Sequence, residues 1–266
     1  MTKQPHILIT NDDGIHAPGI RHLWNSIRQH AKVTVVAPIS EQSAVGLSIT
    51  IRTPLRIEKV IWESGSHDTW SVTGTPTDCI KLALRAILDQ KPDMIISGIN
   101  RGSNIGRGVL YSGTVAATIE SVLQGIPAIA FSCHDYNVEP DYPTLSKYIY
   151  PIIQQIIKHP LPKGTLLNVN FPESKLAPFK GVKVTAQGNE WWGEDPDKRI
   201  HPSEGHSYYW LGAKLHQDEG EEGESAWLRR GYVTAVPVHV GDLTDRDHME
   251  SMKELFESNL EAAITN

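Results

Sequence analysis

Two adjacent carboxylates, Asp12 and Asp13, are the side chains whose type and spacing point most directly to chemistry in this sequence. They follow the apolar run HILIT at 6–10, which is typical of a short buried strand. Two like charges at the end of such a strand repel one another, and a bound cation would compensate both. Aspartate also forms turns and helix caps, so these residues alone leave a purely structural role open.

Further oxygen donors follow three other apolar runs. They lie in the segments 40–43 (SEQS), 97–100 (SGIN) and 132–135 (SCHD). In an open parallel sheet, ligands bind beyond the carboxyl ends of the strands, where such connecting segments meet. Carboxylates combined with a serine hydroxyl and an asparagine amide suit Mg²⁺ or Mn²⁺. The sequence has no HExxH motif and no cysteine cluster that would favour zinc.

The segment 98–114, GINRGSNIGRGVLYSGT, has the composition of an anion-binding loop. Its small residues expose backbone N–H groups. Ser112, Gly113 and Thr114 begin a predicted helix, and a helix N-terminus attracts negative charge. A tight glycine turn is the alternative interpretation of the same residues.

Four cationic or titratable residues are weaker candidates. Arg101 and Arg107 could contact a phosphate, although arginines are more often solvated. His16 and His134 follow predicted strand ends and could transfer protons, although a lone histidine is more often structural or exposed. No GxGxxG motif follows the first strand, and GxxxxGK[ST] and GxSxG are absent. These absences disfavour dinucleotide-binding, P-loop and α/β-hydrolase proteins.

Alternating strand and helix signals predict the scaffold that positions these residues. Continuous apolar runs at 6–10, 32–38, 92–100 and 126–132 are typical of buried parallel strands. Helical periodicity occurs in four segments: Ile20, Leu23, Trp24 and Ile27 after Pro18; Ile80, Leu84, Ile87 and Leu88 after a cap at Thr75 or Thr77; Val115, Ile119, Val122 and Leu123 before Gly125 as C-cap; and Leu145, Ile149, Ile152, Ile153 and Ile156 before His159 and Pro160. We therefore expect an α/β fold with a doubly wound, mostly parallel sheet over about 1–170.

The rest of the chain adds smaller elements to this core. Period-two stretches predict a β-hairpin within 51–73 around the turn signal ESGSHD. Strands are expected at 166–172, 182–186 and 232–240, and an amphipathic helix with Met252, Leu255, Phe256 and Leu260 at 248–264. The acidic run at 217–224 is expected to be a solvated loop. We predict one domain over 1–266, with a core at about 1–186 and 227–247 and an arm at about 187–226 and 248–266.

The composition of the chain limits the classes of partner that we expect. The 266 residues carry a formal charge of −6, which argues against a nucleic-acid polymer or an anionic membrane as partner. Cys79 and Cys133 are expected to be buried free thiols. The sequence shows neither a signal-peptide core nor an apolar run of membrane-spanning length, so we expect a cytoplasmic protein.

Six segments in order resemble the SurE family of survival proteins. They are ILITNDDGIHAPGI (7–20), APISEQSAVGLSIT (37–50), VTGTPTDCIKLAL (72–84), PDMIISGINRGSNIG (92–106), VLYSGTVAATIE (109–120) and GIPAIAFS (125–132). The likeness of the second half is looser, although YVTAVPVHVGDLTD (232–245) fits the family's late segment. SurE proteins are metal-dependent phosphatases of nucleoside monophosphates, so the resemblance implies a 5′-nucleotidase, with 3′-nucleotides and short polyphosphate as further candidate substrates.

The resemblance also implies a ligand set and an assembly. Asp12, Asp13, Ser43 and Asn100 would hold one divalent ion per subunit, Mg²⁺ or Mn²⁺. The fold would be a Rossmann-like three-layer α/β/α core with a β-hairpin, and a C-terminal arm exchanged in a homodimer or tetramer. The chain departs from the family pattern at Ile39-Ser40, where a charged pair is frequent, and in reading EQSAVG instead of EQSGVG. We expect Ala44 to follow Ser43 without consequence if its backbone needs no positive φ.

For the reaction, we expect water to attack the phosphorus of a phosphomonoester while Asp12 or Asp13 orients or deprotonates it. The residues expected to bind the phosphate and substrate are Asn11, Ser103, Asn104, Ser112, Gly113 and Thr114. The leaving alkoxide needs a proton from water at the cation or from an acid that the sequence does not identify. A covalent aspartyl-phosphate route stays open, although the DxD spacing of the haloacid-dehalogenase-like phosphatases is missing. A non-catalytic nucleotide-binding protein, or an interaction protein acting through 187–264, is the alternative.

Overall fold

A nine-stranded sheet forms the centre of the protein in a computed structural model that describes residues 4–62, 68–136, 139–193, 195–211, 214–216 and 222–265. The strands are β1 (His6–Thr10), β2 (Lys32–Pro38), β3 (Ile57–Lys59), β4 (Thr69–Val72), β5 (Met94–Arg101), β6 (Ala128–Cys133), β7 (Thr165–Phe171), β8 (Val182–Val184), β9 (Trp191–Gly193), β10 (Asp197–Ile200), β11 (Ser207–Trp210), β12 (Lys214–His216) and β13 (Val233–His239). The helices are α1 (Pro18–Ile27), α2 (Pro76–Leu82), α3 (Gly113–Leu123), α4 (Tyr142–Lys158), α5 (Glu224–Arg229) and α6 (Arg246–Thr265). A π-helical turn, Ala83–Ile87, extends α2, and 3₁₀ turns lie at Gly106–Leu110 and Ser174–Leu176.

The strand order is β3-β4-β2-β1-β5-β6-β7-β13-β8. The six strands from β4 to β7 are parallel to their neighbours, which confirms the predicted α/β fold with a mostly parallel sheet. The exceptions are β3, antiparallel to β4 in the predicted hairpin, and β13, antiparallel to β7. The chain runs outward from β1 in one direction and from β5 in the other. The order therefore reverses between β1 and β5, which is where ligands bind in doubly wound sheets.

Helices cover both faces of the sheet, so the core has two layers of side chains. Ile7 and Ile9 of β1 point to one face and pack in a cluster with residues of α1 and α4. Leu8 points to the other face and packs in a cluster with Ile80 of α2 and Val115 of α3. This alternation is the period of two that a strand imposes on its side chains. Each fully buried isoleucine or leucine contributes about 1.5–3 kcal/mol, so the continuous apolar runs fix the central strands.

The helix ends decide between two predicted caps and correct two details of the sequence interpretation. Thr75, rather than Thr77, caps α2 and forms a capping box with Asp78. Gln124 is the C-cap residue of α3, and Gly125, with φ +75°, lies one position beyond it. Leu123 was expected to point inward but is 55% exposed. It occupies the last helical position, directly before the half-buried Gln124 and the exposed Gly125.

The C-terminal part contains two small antiparallel pairs, β9 with β12 and β10 with β11, and the predicted terminal helix α6. In the acidic run, residues 217–221 lie outside the described residues, as do residues 63–67 of the hairpin turn. Glu222 is exposed, as a solvated loop requires, but Glu224 begins α5 and is fully buried. Asn170, Thr234 and Gln187 donate hydrogen bonds to its carboxylate, which explains why it leaves solvent.

The two cysteines, Cys79 and Cys133, are free and buried, as expected. Among the helices that the structure describes, none combines the length and the apolar character that crossing a membrane requires.

Candidate active site

A cavity of about 510 Å³ lies at the edge where the carboxyl ends of β1, β2 and β5 meet. This volume suits a small-molecule ligand. The residues that line it are Asp12, Asp13, Glu41, Ser43, Ala44, Asn100, Arg101, Gly102, Ser103, Asn104, Gly108, Tyr111, Ser112, Tyr136 and Leu211. The cavity thus lies at the reversal of strand order between β1 and β5.

The structure brings together most of the residues that the sequence singled out. Asp12, Asp13, Ser43 and Asn100, the four expected metal ligands, all line the cavity. Of the expected substrate-binding residues, three line it and three do not: Ser103, Asn104 and Ser112 belong to the first group, and Asn11, Gly113 and Thr114 to the second. Arg101 lines the cavity, whereas Arg107, His16 and His134 are not among its lining residues.

The three residues outside the cavity wall shape its acidic corner. The Thr114 hydroxyl donates a hydrogen bond to Oδ1 of the buried Asp12. Gly113 allows the first turn of α3 to approach, because a Cβ atom there would lie 2.8 Å from Cβ of Asp12. The Asn11 amide nitrogen donates to the carbonyl oxygen of Gly14 at 2.9 Å and so stabilises the turn after β1. Thr114 and Gly113 thus position Asp12, and Asn11 stabilises the neighbouring turn, while the substrate-binding role expected for all three stays a prediction.

The electrostatics of this corner favour a bound cation. Burial raises the pKa of Asp12 above its ordinary value. Burial, and next the charge of Asp12, raise the pKa of Asp13 to about 7. The carboxylate of Glu41 raises both pKa values further and accepts a hydrogen bond from the Ser43 hydroxyl. Three acidic groups in one cavity wall therefore destabilise one another. Arg101 lowers the pKa of Asp13 but offsets this repulsion only in part, so a bound cation would stabilise the ionised carboxylates further.

The donor chemistry fits a hard divalent ion. The Asn100 amide nitrogen donates to the carbonyl oxygen of Gly102 at 2.6 Å, which leaves the amide oxygen available as a ligand. Within the described residues, no group of three or more His, Cys, Asp and Glu side chains has the arrangement of a metal site. The candidate set therefore combines two carboxylates with neutral hydroxyl and amide oxygens. This combination suits Mg²⁺ or Mn²⁺ and not zinc.

Two backbone hydrogen bonds fix the loop that carries Ser43 to neighbouring segments of the cavity. The backbone N–H of Gln42 donates to the carbonyl oxygen of Asp12 at 2.7 Å, and that of Gly46 donates to Tyr111 at 2.9 Å. Ala44 has a φ of +55°, so the condition under which its replacement of glycine would be harmless is not met. A left-handed conformation costs a non-glycine residue about 1–2 kcal/mol. The alanine therefore places strain directly beside Ser43.

Asn104 is held by a buried polar network that the sequence interpretation missed. Its backbone N–H donates to Oδ1 of Asn170, and its side chain donates to the hydroxyl of Ser132, both at 2.8 Å. The Asn168 side chain donates to the Asn104 carbonyl oxygen at 2.7 Å. Asn170 also donates to Glu224 at 2.9 Å. The two asparagines in the largely apolar strand β7 were the available signal.

Several known proteins that are similar in sequence to this chain belong to one family. The family model described as "Survival protein SurE" matches residues 7–194. A relative from Protochlamydia amoebophila, named "5'-nucleotidase SurE", is 53% identical over 259 residues, which are 97% of this chain and 99% of the relative. The chain belongs to the SurE family. A second relative of the same name, from Christiangramia forsetii, is 48% identical over 91% of this chain and 93% of its own length.

A solved structure of a SurE protein has the same fold as this chain. The crystal structure of a SurE protein from Aquifex aeolicus has a TM-score of 0.79 and 37% sequence identity, over 94% of this chain and 99% of the other. This likeness confirms the family and the fold that the six sequence segments predicted.

In this SurE chain, several cavity residues were not singled out from the sequence. They are Gly102, Gly108, Tyr111, Tyr136 and Leu211, of which the first three lie within the predicted anion-binding segment 98–114. Tyr111 directly precedes the helix cap Ser112, so its position could have been inferred. Tyr136 and Leu211 reach the cavity from irregular segments after β6 and β11, for which periodicity gives no information.

Proposed function

We propose that this SurE protein is a metal-dependent 5′-nucleotidase, a hydrolase that releases phosphate from nucleoside monophosphates. The observation that carries the proposal is the cavity that the buried Asp12 and the partly buried Asp13 line together with Ser43 and Asn100. The name of the relatives, 5′-nucleotidase SurE, supports the same reaction over nearly the full chain. A non-catalytic nucleotide-binding role is not favoured, because the relatives that match nearly the full chain are named as nucleotidases.

Asp12, Asp13, Ser43 and Asn100 would hold one divalent cation, and we infer Mg²⁺ or Mn²⁺. When bound, such an ion offsets the negative charge of the phosphate and of the transition state. The formal charge of −6 therefore does not oppose an anionic substrate, although we expect substrate binding to fail without metal.

Side chains of the cavity would bind the phosphate, activate the water and contact the nucleoside. Ser103, Asn104 and Ser112 would hold the phosphate oxygens beside the N-terminus of α3. Either Asp12 or Asp13 would orient the attacking water and take its proton. Oδ1 of Asp12 already accepts the Thr114 hydroxyl, which leaves Oδ2 for this task. Tyr111 and Leu211 offer apolar surface for the nucleoside.

The test is a phosphatase assay on a substrate panel. The protein is stripped with a chelator and assayed with AMP, GMP, 3′-monophosphates and short polyphosphate while Mg²⁺ or Mn²⁺ is added back. We expect phosphate release from nucleoside monophosphates only after a divalent ion is restored. No turnover with either ion would reject the enzyme and favour a nucleotide-binding module.

We also propose a homodimer or tetramer that exchanges the C-terminal arm. Leu255, Phe256 and Leu260 are at least half exposed on α6 in a single chain, which supports a partner on this helix. A monomeric mass by light scattering of the full chain would contradict this. The division into core and arm, the cytoplasmic location and the absence of a nucleic-acid partner stay predictions from the sequence.

A further inference from the structure

The proposed hydrolysis leaves one chemical task without a residue. A nucleoside departs as a strongly basic alkoxide, so its oxygen needs a proton as the bond to phosphorus breaks. Asp12 and Asp13 are occupied with the cation and the attacking water. Water at the cation is one source of this proton, and a second titratable group near the cavity is the other; the loops after β5 and β6 contain such a group.

Ser103, His134 and Tyr136 form a hydrogen-bonded cluster at the cavity wall. The Ser103 hydroxyl oxygen lies 2.8 Å from Nδ1 of His134 and 2.8 Å from the Tyr136 hydroxyl. The Tyr136 hydroxyl also donates to the Ser103 carbonyl oxygen at 3.2 Å. Ser103 and Tyr136 line the cavity, but His134 does not, so a substrate meets the imidazole only through Ser103.

The cluster is rigidly held. The backbone N–H of His134 donates to the carbonyl oxygen of Phe171 at 2.9 Å, which fixes it at the end of β7. Its ring packs edge-on against Tyr136, with ring centroids 5.3 Å apart. Ser103 is 8% exposed and directly precedes Asn104, which the buried network anchors. A fixed serine between a histidine and a cavity is the geometry of a proton relay.

The surroundings of His134 suit a proton donor. Burial lowers the pKa of His134, and the nearby charges are mixed: the carboxylates of Glu173 and Asp135 oppose this effect, and the cations Arg229 and Lys175 add to it. An imidazolium with a lowered pKa gives up its proton more readily, but a smaller fraction of His134 carries that proton at neutral pH, so we expect the relay to weaken as pH rises. His134 is only partly buried, so it can recover a proton from solvent.

We propose that Ser103 and His134 form a relay that protonates the leaving nucleoside oxygen, an inference that rests on the proposed function. The bond between phosphorus and the leaving oxygen breaks, and its electron pair stays on that oxygen. The Ser103 hydroxyl gives its proton to this oxygen and receives the proton of the imidazolium Nδ1. The attacking water forms the new bond to phosphorus and gives its proton to a carboxylate. Ser103 is thus catalytic, and His134 acts through it.

The leaving group distinguishes this relay from a structural or phosphate-binding role. We compare a nucleoside 5′-monophosphate with p-nitrophenyl phosphate, whose weakly basic nitrophenolate departs without a proton. For Ser103→Ala and His134→Gln, we expect kcat to fall about 100-fold with the nucleotide and no more than about threefold with the aryl ester. Any change in binding of the shared phosphoryl group affects both substrates and cancels in this ratio.

Two further variants complete the design. Tyr136→Phe removes a hydroxyl but keeps the Ser103–His134 contact, so it should retain the wild-type ratio between the two substrates. His30→Gln is the matched histidine control, because His30 stacks on Tyr150 away from the cavity. Its kcat should be unchanged with both substrates.

An equal loss of kcat with both substrates in Ser103→Ala would overturn the relay and leave Ser103 as a phosphate ligand. Full nucleotide activity in His134→Gln would overturn it as well. If His134→Gln does not fold, the Ser103→Ala ratio decides the question alone. A wild-type protein that releases no phosphate with any metal would instead refute the proposed function itself.

Discussion

Replacing the buried Glu224 by glutamine should change how the stability of this protein depends on pH. Burial raises the pKa of Glu224 from an ordinary 4.5 to about 7, although Asn170 and Thr234 donate hydrogen bonds to it. Its folded form therefore binds a proton that the unfolded chain loses. A group of this kind makes the free energy of unfolding fall as pH rises from about 4.5 to about 7.

The size of the effect follows from that shift in pKa. A rise from 4.5 to about 7, at about 1.4 kcal/mol for each tenfold change in proton affinity, corresponds to about 3 kcal/mol. Glutamine carries no charge, so Glu224→Gln avoids this loss. Its new N–H group would face the Gln187 amide nitrogen that now donates to Glu224, so the Gln187 amide must turn over and present Oε1, which is buried and has no hydrogen-bond partner among the described residues.

The assay is urea denaturation of wild type and Glu224→Gln between pH 5 and pH 8. We expect similar stability near pH 5 and an advantage of up to about 3 kcal/mol for the variant at pH 8. Glu222→Gln is the matched control, since Glu222 is exposed two residues earlier and should leave the pH dependence unchanged. Parallel pH profiles for wild type and Glu224→Gln would refute the reasoning.

Three further predictions concern the acidic corner. Thr114→Val removes the hydroxyl that binds Asp12 without changing the shape, and it should weaken metal affinity about 10–100-fold by titration, whereas Thr114→Ser should not. Ala44→Gly should raise the free energy of unfolding by about 0.5–1 kcal/mol, because relief of the left-handed strain exceeds the entropy cost of glycine. A variant that is less stable than wild type would contradict backbone strain at Ala44. The elevated pKa of Asp13 means that the metal-free protein loses stability as pH rises toward about 7. A divalent ion should therefore raise Tm more at pH 8 than at pH 5, and an equal shift would contradict this.

The central strands were predictable because their runs are short, apolar and buried on both faces. Ile7, Leu8 and Ile9 pack into both layers of the core, so no alternation could mislead the interpretation. The position of β13 was not predictable. It pairs antiparallel with β7 over more than 60 residues of separation, and a strand's own sequence does not encode its neighbour.

The proximity of Asp12 and Asn100 was predictable for a similar reason, because strand ends converge at one edge of a parallel sheet. Their role as metal ligands follows from the resemblance to the SurE family and stays a prediction. The residues that hold the site residues in place were not predictable. Thr114 reaches Asp12 across 102 positions, and Glu224 reaches Asn170 across 54. Such contacts depend on how helices and strands pack, not on local patterns. The positive φ of Ala44 is also set by the loop's attachment to β1 and Tyr111, not by the alanine.

The central claim is that Asp12, Asp13, Ser43 and Asn100 hold a catalytic divalent cation. The most direct test is a crystal structure of the protein with Mn²⁺, with the anomalous signal used to place the ion. We predict one strong peak in the cavity, about 2–2.5 Å from carboxylate oxygens of Asp12 and Asp13, and loss of that peak in Asp12→Asn. A peak elsewhere, or none at this site in wild-type crystals that bind Mn²⁺, would contradict the assignment.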